Sequence, residues 1–426
     1  MIHSRQNFLR VCGTGLIGLL AGSARLTAGA PVASLPAFNP SAPEPFWAAV
    51  RAAYEIDPGL TYFNTGGLGP AATSVRQVAN DVTRRLQREV ETGRAHFETA
   101  RITLARFLGA QPGEIAFVRN ATEANGIIAG GLELQRGDEV IFESHAHPGG
   151  SFPWLHQAQL RGVVVRLFTP DETSPAANVA RVQALLTPRT RVVQVSHVTA
   201  PTGIVLPVAA LAELCRSRGI WLHVDGAQSA GMFPFSVTAL GCDSYATSGH
   251  KWLGAPHETG LLYVRRDRLA EVTPGIVGAH SGHLEELPGA LELEATAARF
   301  EYGTRAAAPV AALAAAAEWQ ESINRERIAA RGTFLVGRLR EGLRQLPDVD
   351  ILTPEHPELA GSMLTFRTPR LPYDRLFQQL FERFRIRCRP VSEQQLDAVR
   401  VSCHLFNTPA EIDRLVEAVD RVVRAA

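Results

Sequence analysis

Between about residues 78 and 270 the chain alternates two kinds of apolar pattern. Short β-rich runs, most of them largely apolar, occur at EIAFV (114–118), EVIFES (139–144), VVVRLF (163–168), RVVQVSHV (191–198), IWLHVD (220–225), SYATS (244–248) and GLLYVRR (260–266). Between several of them, stretches such as LAELCRSRG repeat their apolar positions at helical spacing. Runs of this length, rich in Val, Ile and aromatic residues, predict strands, and the intervening pattern predicts helices. Strands that are apolar throughout need cover on both faces, so seven of them separated by helices predict a mostly parallel α/β sheet with helices on each side. A Gly/Pro-punctuated segment (274–304) then leads into an alanine-rich helix from about Pro309. The division that follows is an N-terminal segment (31–75), a large domain (76–305) and a smaller α+β C-terminal domain (306–426).

Residues 1–30 follow a different pattern: a basic start (Arg5, Arg10), an apolar stretch near 11–22, then small residues. That is the layout of a cleaved export signal. SRQNFLR is similar to the twin-arginine export motif, with Gln6 where the second arginine belongs. The stretch is too short and too glycine-rich to predict a membrane span.

Composition adds little against this picture. At 426 residues, 46% hydrophobic and net charge +1, the chain can bury two sizeable cores and gives no electrostatic case for nucleic acid or an anionic membrane. Beyond Cys12 in the leader, the cysteines are Cys215, Cys242, Cys388 and Cys403, with no CxxC or Cys/His spacing. No metal site is predicted, and the thiols read mostly as packing residues, with a Cys388–Cys403 bridge left open.

One residue does change the picture. Lys251, in TSGHKWLGAP, is the only lysine among 43 basic residues. A lysine amine in a desolvated or cationic site can lose its proton and attack a carbonyl, which arginine cannot do. Twenty-six residues earlier, WLHVDGAQSAG ends an apolar strand on Asp225. A strand-end carboxylate beside such a lysine is what pyridoxal phosphate needs, one partner for the ring nitrogen and one for the aldehyde, with Gln228 in reach of the phenolic oxygen. In VRNATEANG a strand gives way at Asn120-Ala121-Thr122 to a helix whose free N–H groups form an anion cradle. Ser248 and His250 flank the lysine and can reach the same phosphate.

DGAQ, SGHK, NATEAN, FEYGTR (300–305) and VRVSCHLFNTPAEIDRLVEAV (399–419) together resemble the class V aminotransferase family, of fold type I, over residues 60–420. The resemblance implies Lys251 as the Schiff-base lysine, Asp225 as the pyridinium partner and Gln228 as the phenolic-oxygen ligand. It implies His147 stacked on the cofactor face, with His145 the competing choice. Ala121 and Thr122 fall to the cofactor phosphate, and Gly303 and Thr304 to that of a neighbouring subunit, hence a homodimer. Arg400 falls to the substrate α-carboxylate, with Asn64 a second substrate contact. Cysteine desulfurases in this family carry a nucleophilic cysteine before that arginine, but RPVSEQQLDAVR has none. GTRAAAP and RVSCHLFNT are more similar to the isopenicillin N epimerase-like branch. An exported member of that branch resembles the periplasmic enzymes that tailor the siderophore pyoverdine. This implies oxidative decarboxylation of its glutamyl side chain to a succinamide, with transamination or epimerisation as alternatives.

Overall fold

The computed structural model describes residues 35–284 and 286–425, so the leader (1–30) lies outside the described residues. The seven apolar runs form a single sheet: β1 (Ile115–Val118), β2 (Glu139–Glu143), β3 (Val164–Phe168), β4 (Thr190–Ser196), β5 (Trp221–Asp225), β6 (Ser244–Ser248) and β7 (Gly260–Val264). Their order is β1-β7-β6-β5-β4-β2-β3. Only β7 runs antiparallel to its neighbours, and every other pair is parallel.

Successive residues of each strand enter opposite cores, as the pleat requires. Phe117, Val193, Val195, Leu222, Val224 and Tyr245 pack on one face, while Val118, Val140, Val192 and Ala246 pack on the other with Trp154. The expectation of two covered faces fails at one place. β3 is an edge strand, bonded on one side only, and Val164 and Leu167 are exposed.

The C-terminal region builds an antiparallel sheet from β8 (Asp350–Ile351), β9 (Met363–Arg367), β10 (Arg389–Val391) and β11 (Ala398–Ser402), in the order β8-β9-β11-β10. Helices Arg325–Arg344, Tyr373–Phe384 and Pro409–Arg424 cover it around a core of their own. The alanine-rich helix Ala307–Ile323 behaves differently. Its Ala312, Leu313 and Ile323 belong to the large-sheet core, where it lies on helices Thr73–Glu89 and Arg94–Leu108. Upstream, Thr61–Tyr62 pairs with Ile386–Arg387, and Asn64 bridges to Ser402, so residues 61–70 run from the small sheet across to the large one. Cys215, Cys242, Cys388 and Cys403 are free and buried; no bridge joins Cys388 to Cys403. Among the described residues no helix is long and apolar enough to cross a membrane.

Candidate active site

From β4 the chain proceeds to β5 and β6 on one side, while β2 and β3 lie on the other. The crevice beyond the carboxyl ends of strands at such a reversal is where open α/β sheets bind ligands. Here it holds a cavity of about 280 Å³. β5 delivers Asp225 as its last residue, and β6 ends at Ser248, just before Gly249-His250-Lys251. β1 and β2 lead to helices capped by Asn120 and His147. The cavity brings together Ala121, Thr122, His147, Asp225, Gln228, Ser248, His250, Lys251 and Arg400. Asn64 reaches it through Arg400, whose Nη2 donates to Asn64 Oδ1 at 3.3 Å. Gly303 and Thr304 are not part of it; they line a separate cavity with Arg94 and His280.

Two helix N-termini converge on this cavity. At helix Ala121–Gly131 the Ala121 N–H donates to Ser248 Oγ (3.0 Å) and the Glu123 N–H to Asn120 Oδ1 (3.0 Å), which leaves the Thr122 N–H open. Helix Pro148–Arg161 comes close enough that a Cβ at Gly149 would stand 2.4 Å from Thr122 Oγ1. Both positive dipole ends therefore favour an anion in the same place. His250 Nδ1, buried without a partner, faces the same need for a ligand.

Lys251 is partly buried at the cavity wall. Burial brings its amine down from 10.5 to about 8; Asp225 opposes this, while Arg400 and Arg389 reinforce it. Asp225 is held on both oxygens: Oδ1 accepts the Ala227 N–H and Oδ2 accepts Asn125 Nδ2, each at 3.0 Å. The amide of Gln228 is anchored, Nε2 donating to Gly66 O and Oε1 accepting from Trp252 Nε1, both at 2.8 Å. His147 Nδ1 accepts the Gly149 N–H at 3.0 Å, which puts the ring proton on Nε2, and burial with the nearby Lys251 charge lowers its pKa. His145 turns instead to Thr202 Oγ1 (3.1 Å) and does not line the cavity.

The opposite wall comes from the small sheet. Arg400 on β11 and Arg389 on β10 are direct cross-strand partners. Like charges in that relation destabilise a ladder. Arg400 is 1% exposed, and its Nη1 donates to Ala200 O at 2.6 Å while Nε has no partner. Burial, with Arg389 beside it, pulls its guanidinium down to about 9. Arg389 pairs with Glu393, yet its Nη1 is buried without a partner. Two crowded guanidiniums with spare donors form a receptor for a carboxylate.

Sequence reasoning did not single out Arg389 or Asn125. An Arg-x-Arg run at 387–389 leading into the Arg400 strand was the available signal for the first. Asn125 lies one helical turn beyond Ala121, on the same helix face.

The class-V aminotransferase model matches residues 71–415. Isopenicillin N epimerase of Streptomyces clavuligerus is 32% identical over 397 residues, covering 88% of this chain and 98% of the relative. Among solved structures, apo cysteine desulfurase from Thermococcus onnurineus NA1 superposes with a TM-score of 0.81 at 25% identity, covering 89% of this chain and 98% of that one. A mutant of C-DES with glycine covalently linked to its PLP cofactor gives a TM-score of 0.78 at 29% identity, covering 87% and 98%. With the matched region spanning both sheets and all of the cavity lining except Gly66 and Gly67, this chain belongs to the class-V aminotransferase family.

Proposed function

We propose that this protein is a pyridoxal phosphate-dependent enzyme whose substrate enters with a free α-amino group and a free α-carboxylate. The observation that carries the substrate reading is the Arg389–Arg400 pair, directly opposed in the ladder and lining one cavity with Lys251 and Asp225. The residues present fit the cofactor. The open Thr122 N–H and the unpartnered His250 Nδ1 suit its phosphate, Asp225 its ring nitrogen, Lys251 its aldehyde and His147 its ring face.

Bound there, pyridoxal phosphate supplies an electron sink for the charge left at the substrate's Cα when a proton or carbon dioxide departs. The chain supplies the rest. Arg400 and Arg389 orient the carboxylate, and with it the bond that breaks. Lys251, near 8, can take and return a proton at Nζ around neutral pH. The persulfide chemistry of a desulfurase is disfavoured: Cys388 is buried, its thiol pushed up to about 12, and Cys403 is buried and shifted upward too.

We infer further that the enzyme is exported to the periplasm, acts as a homodimer and converts the glutamyl side chain of a pyoverdine precursor to a succinamide by oxidative decarboxylation. The leader-like residues 1–30, the epimerase-like RVSCHLFNT and the position of Gly303 and Thr304 away from their own chain's cofactor cavity support this reading. The test incubates the loaded enzyme with that precursor in an oxygen electrode, followed by mass spectrometry. Loss of carbon dioxide with oxygen uptake and no added keto acid is expected. A keto-acid product that forms only with an amino acceptor would establish an aminotransferase instead, and inversion at Cα without a mass change an epimerase.

A further inference from the structure

Behind Asp225 runs a chain of buried hydrogen bonds that the cofactor site itself does not explain. Trp221 and His223 precede Asp225 on β5 at intervals of two, so all three side chains leave the strand on the same face. Trp221 Nε1 contacts Ser244 Oγ at 2.8 Å, and Ser244 Oγ contacts His223 Nδ1 at 2.8 Å. His223 Nε2 contacts Asn125 Oδ1 at 2.8 Å, and Asn125 Nδ2 contacts Asp225 Oδ2 at 3.0 Å. Asn125, His223 and Ser244 are fully buried.

The direction of every bond follows from its ends. An indole N–H can only donate, so Ser244 Oγ accepts from Trp221; at the other end a carboxylate and a carbonyl can only accept, so Asn125 turns its NH₂ to Asp225 Oδ2 and Gly149 O, each at 3.0 Å, and its Oδ1 to His223 Nε2. A neutral imidazole that donates from Nε2 to the Asn125 carbonyl leaves Nδ1 as an acceptor, able to take the Ser244 hydroxyl proton. The Nε2 proton in turn holds the amide with its NH₂ toward the Asp225 carboxylate and Gly149 O. A flipped amide would set oxygen against oxygen at both Asp225 and Gly149 O and N–H against N–H at His223, losing three hydrogen bonds at once. Burial lowers the His223 pKa to about 4, so at neutral pH the ring holds one proton.

We propose that His223, neutral and protonated on Nε2, is a positioning residue that sets the direction of the Asn125 amide and thereby fixes the Asp225 carboxylate toward the ring nitrogen of the cofactor. The proposal rests on the reading of Asp225 as the partner of that nitrogen. It assigns His223 no contact with cofactor or substrate. Its influence passes through Asn125, as outer hydrogen bonds orient the ligands of a metal.

The experiment compares wild type, His223→Leu and His223→Gln, each loaded with pyridoxal phosphate labelled with ¹⁵N in the ring, and reads the ring-nitrogen shift by NMR together with the cofactor Kd. Glutamine can place an amide N–H near the position of Nε2; leucine cannot. Wild type and His223→Gln should show a protonated ring nitrogen. His223→Leu should move toward the unprotonated shift and bind the cofactor about tenfold more weakly, the effect of losing about one buried hydrogen bond from the network. In the apoprotein, ¹⁵N-histidine spectra should show the His223 ring as the Nε2–H tautomer from pH 6 to 8; the opposite tautomer overturns the proposal whether or not the leucine variant folds. A folded His223→Leu that keeps the wild-type ring shift and Kd also overturns it, while leaving Asp225 in its role. An unprotonated ring nitrogen in wild type removes the Asp225 reading, and this proposal with it.

Discussion

Lys251→Met keeps a side chain of similar length and removes the amine. Burial holds the Lys251 pKa near 8, against 10.5 for an ordinary lysine. At about 1.4 kcal/mol per pH unit, protonated Lys251 costs the folded apoprotein ~3 kcal/mol at pH 7. The sign follows from proton binding. Between about 8 and 10.5 the unfolded chain still holds the proton that the folded one has released, so stability rises with pH across that window. The cost is complete below the folded value and gone above the unfolded one. Lys251→Met apoprotein should therefore be more stable than wild-type apoprotein by ~3 kcal/mol at pH 7, with the lead shrinking toward zero near pH 10.5. Urea denaturation of both apoproteins at the two pH values measures the gap, because groups common to both chains cancel in the difference. A gap of equal size at both, or a methionine variant less stable at pH 7, would refute the placement of a desolvated lysine in this cavity.

Borohydride treatment of the loaded enzyme should fix the cofactor on the one tryptic peptide that contains Lys251, since the chain has no other lysine, and mass spectrometry locating it elsewhere would remove the assignment. Arg400→Ala should lower kcat/KM at least about thirtyfold, as loss of a buried charged partner costs about 2–5 kcal/mol. Cofactor absorbance should change little in that variant, and an unaltered kcat/KM would place the carboxylate elsewhere. Cys388→Ser and Cys403→Ser should each lower Tm, because each buries a hydroxyl, while leaving the chemical step intact. Lost turnover in a folded serine variant would return a thiol to the mechanism.

The large sheet was legible because all its strands but the edge strand β3 are buried on both faces, and most therefore read as nearly continuous apolar runs; SYATS, apolar only at Tyr245 and Ala246, still matches β6 residue for residue. Asp225 and Lys251 were legible for a related reason, each standing where an apolar strand gives way to polar chemistry. The small sheet was harder to read. Its register sets Arg389 opposite Arg400 through a turn in which Gln394, Gln395 and Asp397 adopt left-handed backbone angles, with no glycine to announce it. The partners of Asp225 were hidden by distance along the chain. Strand periodicity puts His223 on the right face, but the amide that joins the two residues comes from a helix about a hundred residues earlier.

The cavity is therefore assembled from two sources with opposite electrostatic tasks. The large sheet supplies the half that suits a phosphorylated ring, with converging helix N-termini, a carboxylate and a lysine of lowered basicity. The small sheet supplies two guanidiniums, whose mutual repulsion a substrate carboxylate would relieve. Residues 61–70 tie the halves together. Thr61 and Tyr62 pair with Ile386 and Arg387 of the C-terminal region, Gly66 O accepts from Gln228, and the Gly69 N–H donates to His250 O at 2.8 Å. The fit against the lysine is tight, since a Cβ at Gly69 would stand 1.8 Å from Lys251 O. A shift of the small sheet on binding a carboxylate would thus be felt, through one short segment, at the backbone of Lys251, the residue proposed to hold the cofactor.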